Sequence, residues 1–231
     1  VKRVFLQEKQ EIVFHLAAQP IVRVSYDDPI DTFSTNIMGT ANVLQVIKEV
    51  SFVRSVVVVT TDKVYKDSGC EFPYKENDPL GGYDPYSASK AAADTVAQSY
   101  IQSFFNPKDF GIKHNTLVTI ARSGNVIGGG DWAEYRLVPD IVRSVYEINE
   151  PLKIRMPRAI RPWEHVLEPL FGYLQLGMKT YEKEHYLSDM WNFGPHDESF
   201  VCVEDIARKA VSILRKGEIV VMHDDSKHET S

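Results

Sequence analysis

A run of four valines, Val56–Val59, constrains the fold of this chain more than any other stretch. The run shows no alternation of polar and apolar residues, so it predicts a strand buried on both faces, as in a parallel sheet covered by helices. Thr61, Asp62 and Lys63 follow almost at once. They therefore lie beyond the carboxyl end of the strand, where open α/β sheets bind their ligands.

Strands and helices alternate along the first half of the chain. Apolar runs predict further strands at Glu11–Leu16 and Asn115–Ala121. Apolar residues recur at three- and four-residue steps from Ile30 to Ile47, and a second helix is expected from Tyr86 to about Phe104. This alternation predicts parallel strands joined by right-handed crossovers. The expected fold class is therefore α/β, with a doubly wound, Rossmann-like parallel sheet.

The second half alternates less regularly, which predicts a smaller lobe. Helices are expected at Val138–Tyr146, Glu164–Met178 and Val203–Leu214, and short strands at Leu152–Ile154 and Trp191–Phe193. We place the boundary so that residues 1–125 form the sheet domain and residues 126–231 the lobe. Because neither end carries a helix cap or a closing element, we expect an interior piece of a longer protein, with the sheet incomplete on its N-terminal side.

Tyr86 and Lys90 stand four positions apart in the second helix and therefore project from one face. An ammonium beside a phenol stabilises the phenolate, which can then take a proton from an alcohol. The same spacing also occurs by chance in surface pairs. Its position after a buried strand that leads into Thr61, Asp62 and Lys63 favours an active site.

Composition narrows the class of protein. A net charge of −6 over 231 residues argues against general nucleic-acid binding. Cys70 and Cys202 fit no metal or redox spacing, and a reduced, cytoplasmic setting is expected. No apolar run approaches the roughly 18 residues that span a bilayer, and no cluster has metal-ligand spacing, so we expect neither membrane nor metal.

Several motifs occur here in a characteristic order, namely His15-Leu-Ala-Ala-Gln19, Thr61-Asp-Lys63, Tyr86-x-x-x-Lys90, Gly124-Asn-Val-Ile-Gly-Gly-Gly-Asp131 and Arg161-Pro-Trp163. In this the chain resembles the extended short-chain dehydrogenase/reductase (NAD-dependent epimerase/dehydratase) family, and within it the CDP-glucose 4,6-dehydratases. The resemblance covers nearly the whole chain. It implies NAD as cofactor, a nucleotide-diphosphate sugar (CDP-glucose) as substrate, and a homodimer formed through the helices at 29–48 and 86–104.

The resemblance also implies roles for the polar residues at the sheet edge. Tyr86 would deprotonate the sugar 4-hydroxyl, Lys90 would hold the phenolate and the nicotinamide ribose, and Thr61 would orient the 4-hydroxyl. Asp62 would be the acid at C6 and Lys63 the base at C5. The alternative for these last two is a direct ion pair. Since neighbours on a strand face opposite ways, the chain must leave strand geometry by Asp62 if both are to reach one sugar.

Binding residues follow from the same resemblance. The cofactor would contact Ala17, Ala18, Gln19, Thr35, Tyr86 and Lys90, and the substrate would contact Thr61, Asn125, Arg136, Leu137 and Arg161. Arg155, Arg158 and Arg161 bring three cations close together, with Arg161 expected on the diphosphate and the other two either there or on a solvated face.

Two other functions remain open. A nucleotide-sugar epimerase would need the Tyr–Lys pair but no elimination residues, and the Asp62-Lys63 dipeptide argues against it. The family's Gly-x-x-Gly-x-x-Gly turn, which holds the NAD pyrophosphate, is not found in these residues. Gly128–Gly130 is not a substitute because it follows a late strand and leads into a loop. A non-catalytic nucleotide-sugar-binding or dimerisation module is therefore the second alternative.

Overall fold

The computed structural model describes residues 1–67, 73–148, 152–154, 156–196, 199–214 and 219–221. The chain divides into two compact units. The first contains residues 1–123 and 168–193, and the second contains residues 124–167 and 194–231.

The first unit is built on a four-stranded sheet, whose strands lie side by side in the order Ile12–His15, Ser55–Val59, Leu117–Ser123 and Met190–Phe193. All neighbouring strands are parallel. These strands are β1, β2, β3 and β7, respectively. The helices are α1 (Lys2–Glu8), α2 (Val22–Asp27), α3 (Pro29–Phe33), a π-helical turn (Ser34–Met38), α4 (Gly39–Glu49), α5 (Pro85–Phe104) and α7 (Leu167–Tyr181).

Strand β2 is covered on both faces, as its uninterrupted valines predict. Val56 and Val58 belong to an apolar cluster with residues of α4 and α5, among them Leu44 and Ile101. Val57, which points the other way, packs in a second cluster with residues of α7. Because successive side chains of a strand face opposite sides, three neighbouring valines join two separate cores. The predicted doubly wound α/β fold is confirmed.

The helical segment from Pro29 to Glu49 differs from its prediction in the face it buries. Asp28 caps α3 by accepting a hydrogen bond from the amide of Asp31 at 2.9 Å. In the first half of the segment the buried residues are polar, namely Thr32, Asn36 and Thr40, whereas Ile30 is 74% exposed. These polar side chains face inward because each has a hydrogen-bond partner there.

The second unit contains two small sheets. Strands β4 (Asn125–Ile127), β6 (Ile160–His165) and β8 (Phe200–Cys202) form one, and β5 (Leu152–Ile154) pairs with β9 (Ile219–Val221) in the other. Helices α6 (Leu137–Arg143) and α8 (Val203–Leu214) pack around an apolar cluster with β5, and a π-helical turn, Ser144–Ile148, follows α6.

Two sequence predictions need correction here. Glu164, predicted to begin a helix, lies in β6, and α7 begins at Leu167. Pairing with β4 on one side and β8 on the other outweighs the helical pattern of the sequence. Residues 168–193, predicted to belong to the lobe, lie in the first unit because β7 pairs with β3 and α7 covers the sheet.

Candidate active site

The chain leaves strand geometry directly after β2. Asp62–Val64 forms a turn of 3₁₀-helix, and the Thr61 hydroxyl oxygen caps this turn by accepting a hydrogen bond from the amide of Lys63 at 3.3 Å. The same hydroxyl donates to a carboxylate oxygen of Asp62 at 3.0 Å. The predicted departure from strand geometry is therefore confirmed. It frees Asp62 and Lys63 from the alternation that would send neighbours to opposite faces.

Helix α5 carries Tyr86 and Lys90 and begins at a fixed point. Asp84 caps it, accepting from the amide of Ser87 at 2.9 Å and from its hydroxyl at 2.6 Å. Pro85 occupies the first helical position. Gly82 lies so close to Ser87 that a Cβ there would be 2.3 Å from the Ser87 backbone. The position of the first turn of the helix is therefore fixed by the cap and by close packing.

Lys90 joins this helix to the end of β2. Its ammonium donates to the carbonyl oxygen of Val59 at 2.9 Å, and the residue is 6% exposed. Burial lowers the pKa of Lys90 to about 8, although the carboxylate of Asp94 acts in the opposite direction. The α5 helix also packs against the Asp62–Val64 turn. The structure thus brings the two predicted catalytic segments together.

The side chain of Asn36, which is not among the residues predicted for the site, holds the loop after β1. Asn36 accepts from the amide of Gln19 at 2.7 Å and donates to its carbonyl oxygen at 3.1 Å. It also donates to the hydroxyl of Ser89 at 2.8 Å, which in turn donates to the carbonyl oxygen of Tyr86 at 2.6 Å. One buried amide therefore links the β1 loop to the helix that carries Tyr86.

The predicted cofactor-binding residues of the β1 loop lie at the carboxyl edge of the sheet. Ala17 is exposed and Ala18 partly so, while Thr35 is exposed on the π-helical turn. The side-chain amide of Gln19 bonds to Ile21 and Thr32, so it shapes the loop itself.

His15, the last residue of β1, is a buried histidine. Its Nε2 lies 3.1 Å from the hydroxyl of Thr40, whose own proton goes to the carbonyl oxygen of Asn36 at 2.8 Å. Burial, together with the positive charge of Lys90, lowers the pKa of His15 to about 4. The imidazole is therefore neutral near pH 7.

The remaining predicted substrate-binding residues lie in the second unit. Asn125 begins β4, and Arg161 lies in β6, donating to the carbonyl oxygen of Ile160 at 3.2 Å. Arg136 precedes α6 and forms an ion pair of 3.0 Å with Asp131. Leu137 packs against the apolar cluster of this unit.

Further sequence predictions concern Arg155, Cys70, metal binding and membrane spanning. Arg155 and Cys70 lie outside the described residues. Among the residues that are described, no three His, Cys, Asp or Glu side chains are grouped to hold a metal ion. In the same part of the chain, no helix has the length and apolar character needed to cross a membrane.

Solved structures share this fold. A dTDP-glucose 4,6-dehydratase from Bacillus anthracis, in complex with NAD, superposes with a TM-score of 0.76 at 22% identity, covering 96% of this chain and 63% of that one. A UDP-glucose 4-epimerase from Thermotoga maritima, with UDP-glucose, gives a TM-score of 0.80 at 20% identity, covering 98% of this chain and 68% of that one. At such identities the likeness establishes the fold, a Rossmann-like α/β sheet.

Similarity in sequence identifies the family of the chain. Residues 1–170 match the family model described as GDP-mannose 4,6 dehydratase, and the chain belongs to this family. The CDP-glucose 4,6-dehydratase of Salmonella typhimurium strain LT2 is 50% identical over 205 residues, covering 89% of this chain. The match covers 56% of that relative, so the chain spans about half its length. The resemblance drawn from the motifs is confirmed.

Proposed function

We propose that the protein is a lyase that dehydrates a nucleotide-activated glucose with NAD as cofactor, converting CDP-glucose to CDP-4-keto-6-deoxyglucose. The observation that carries the proposal is the packing of the Asp62–Val64 turn against the helix of Tyr86 and Lys90. A carboxyl group, an amine and a phenol would thereby be available at one sheet edge to act as acid and bases. The 50% identity to a relative named CDP-glucose 4,6-dehydratase supports the nucleotide and the sugar.

The reaction needs the 4-hydroxyl to be oxidised first, because a ketone at C4 acidifies the proton at C5. Tyr86, held as phenolate by the ammonium of Lys90, would take the proton of the 4-hydroxyl, and Thr61 would orient that hydroxyl. Lys63 would then remove the C5 proton. Asp62 would protonate the departing C6 oxygen, so that water leaves and a C5–C6 double bond forms. The double bond is finally reduced at C6 and protonated at C5.

This sequence requires that Asp62 hold a proton and Lys63 lose one. Both side chains are partly buried. The hydroxyl of Thr61 donates to one oxygen of Asp62 and so fixes the direction of this carboxyl group. Thr61 would therefore orient the acid as well as the substrate.

The residues of the sheet edge fit a nicotinamide dinucleotide. The small side chains of Ala17 and Ala18 allow close approach to the backbone, and the ammonium of Lys90 has three donors, of which Val59 accepts one. NAD, when bound, would accept the hydride from C4 and return it at C6. Ala17, Ala18, Gln19, Thr35, Tyr86 and Lys90 are the residues proposed to hold it.

The substrate's diphosphate and nucleoside would be bound by residues of the second unit. Arg161 would contact a phosphate, and Arg136, now paired with Asp131, has the planar donor geometry that suits the same role. Asn125 and Leu137 complete the proposed set. The cytosine preference rests on the 50% identical relative, which is a CDP-glucose 4,6-dehydratase.

Product analysis tests the proposal. The full-length protein is incubated in D₂O with CDP-, dTDP-, UDP- or GDP-glucose, and we expect a 4-keto-6-deoxy product from CDP-glucose, with deuterium at C5. Lys63→Ala and Asp62→Asn should abolish this product, whereas Lys66→Ala, at an exposed lysine nearby, should leave it unchanged. Unaltered turnover in the Lys63 and Asp62 variants would exclude the dehydratase mechanism.

The two alternatives give different results in the same experiment. An epimerase would yield CDP-galactose without deuterium at C5, and the fold shared with a UDP-glucose 4-epimerase makes this the second candidate. A binding module would bind the nucleotide sugar without converting it and would release no nicotinamide on denaturation.

A homodimer is also proposed. Ile30 and Met38, on the helical segment at 29–48, are 74% and 53% exposed, and Phe104 at the end of α5 is 41% exposed. Exposed apolar side chains on the two helices through which the family resemblance implies dimerisation support an interface between two copies. Light scattering should give twice the monomer mass, and a single-chain mass would exclude the dimer. The cytoplasmic location stays a prediction.

A further inference from the structure

A buried ion pair connects the two segments of the proposed active site. Asp94 on α5 and Arg122 near the end of β3 are 0% and 1% exposed. The guanidinium binds the carboxylate in bidentate fashion, with both nitrogen–oxygen distances at 2.8 Å. A buried pair of this kind generally contributes little more stability than apolar residues of the same volume. Stability alone therefore does not account for it.

The carboxylate of Asp94 holds Thr60, the residue just before the Thr61–Val64 segment. The hydroxyl of Thr60 donates to it at 2.9 Å, and Gln98 donates at 2.7 Å. Asp94 lies one helical turn beyond Lys90 and two beyond Tyr86, so it shares their face of α5. It thereby ties the start of the Thr61–Val64 segment to the helix of the Tyr–Lys pair.

The guanidinium of Arg122 holds the residue just after that segment. Its Nη1 donates to the hydroxyl of Tyr65 at 2.8 Å and to the carbonyl oxygen of Glu76 at 2.8 Å. The hydroxyl of Tyr65 passes its own proton to Asn192 of β7 at 2.6 Å. The residues on both sides of Thr61–Val64 are thus bonded to one buried ion pair.

We propose that Asp94 and Arg122 are positioning residues, which fix Thr61, Asp62 and Lys63 relative to Tyr86 and Lys90 by clamping both ends of the Thr61–Val64 segment. The proposal rests on the proposed dehydratase function. The proposed role explains why an arginine occupies position 122. Only a planar guanidinium, with its several donors, reaches the Asp94 carboxylate, the Tyr65 hydroxyl and the Glu76 carbonyl together. Displacements of about 1 Å cost roughly a hundredfold in rate, so the clamp acts on turnover.

Two matched threonine variants of the full-length protein separate positioning from simple stability. Thr60→Val removes one hydroxyl bond to Asp94 and leaves the ion pair intact. Thr119→Val removes an equally buried hydroxyl, which donates to the carbonyl oxygen of Leu187 at 3.0 Å on the same sheet. We expect similar melting temperatures for the two variants. The kcat for CDP-glucose should fall about tenfold or more in Thr60→Val alone, with KM unchanged and with recovery in Thr60→Ser.

Hydrogen exchange supplies a readout that does not depend on activity. The amides of Val64 and Tyr65, bonded to the carbonyl oxygens of Thr61 and Asp62, should exchange faster in Thr60→Val and not in Thr119→Val. Arg122→Lys keeps the positive charge but loses the planar set of guanidinium donors. The amides of Val64 and Tyr65 should exchange faster in this variant too.

The outcomes are separable. Equal losses of kcat in Thr60→Val and Thr119→Val, or unchanged exchange of Val64 and Tyr65 in Thr60→Val and Arg122→Lys, would overturn the clamp. Failure of the proposed function has a different signature, because the unsubstituted protein would then form no dehydrated product while the exchange result still decides whether the segment is clamped.

Discussion

His15 makes the stability of the protein depend on pH in a calculable way. Burial and the charge of Lys90 lower the pKa of His15 from 6.5 to about 4 in the folded state. Between these two values the unfolded chain binds a proton that the folded chain does not. Stability from this residue is therefore fully present above pH 6.5 and is lost as the pH falls toward 4.

The size of the effect follows from the same two values. Lowering the pH from about 7.5 to about 5 should reduce the free energy of unfolding by about 2 kcal/mol through His15 alone. Other groups titrate in this range, so the comparison needs a variant. His15→Gln keeps a donor near the position of Nε2, which the Thr40 hydroxyl can still accept, and it removes the titration.

Urea unfolding followed by circular dichroism measures the difference. At pH 7.5 we expect His15→Gln to be less stable than the unsubstituted protein by about 1 kcal/mol, because a buried hydrogen bond is imperfectly replaced. Near pH 5 that gap should close or reverse, because the variant loses about 2 kcal/mol less on acidification. Parallel stability curves for the two proteins between pH 7.5 and 5 would refute the reasoning, as would an NMR titration of His15 near 6.5.

Three further substitutions test the packing around the site. Gly82→Ala should destabilise by about 1–3 kcal/mol and lower turnover, since its Cβ would meet the backbone of Ser87 at 2.3 Å; thermal melting and kcat measure this. Arg122→Met should cost about 3–5 kcal/mol in urea unfolding by leaving the Asp94 carboxylate buried without its cation, and adding Asp94→Leu should restore most of it. Asn36→Leu should lower the free energy of unfolding by about 1–3 kcal/mol. It should also speed hydrogen exchange of the Gln19 amide, which donates to the Asn36 side chain.

Each of these has its own control. Gly129→Ala, where an added Cβ meets nothing within 4 Å, should leave the melting temperature unchanged. If the double variant at 94 and 122 is no more stable than Arg122→Met, the buried charge is not the cause of the loss. If the Gln19 amide exchanges at the same rate in Asn36→Leu, the loop is held by other contacts.

Much of the sheet could be predicted from the sequence because its signals are local. The valines of β2 are buried on both faces, and the helix from Pro85 to Phe104 matches its expected span to within a residue. The exit from strand geometry at Asp62 was predictable for a chemical reason, since two adjacent side chains were expected to serve one substrate.

Other features depend on partners distant in sequence. Thr32, Asn36 and Thr40 form a buried polar stripe whose hydrogen-bond partners include His15 and Ser89, so the apolar period of the helix did not reveal them. The available signal was the four-residue spacing of Asn36 and Thr40, with Thr40 next to Gly39. The three-residue strands β4 and β8 are too short to show a period and are defined by their pairing.

The interleaving of the two units has a consequence for how the chain acquires its fold. After β3 the polypeptide leaves the first unit, builds residues 124–167, returns for α7 and β7, and leaves again. Val57 and Ala121 gain Tyr173 and Leu176 as neighbours only on that return. On the ribosome, one face of the nascent sheet therefore stays bare until some 50 further residues emerge, and closing so long a loop slows folding.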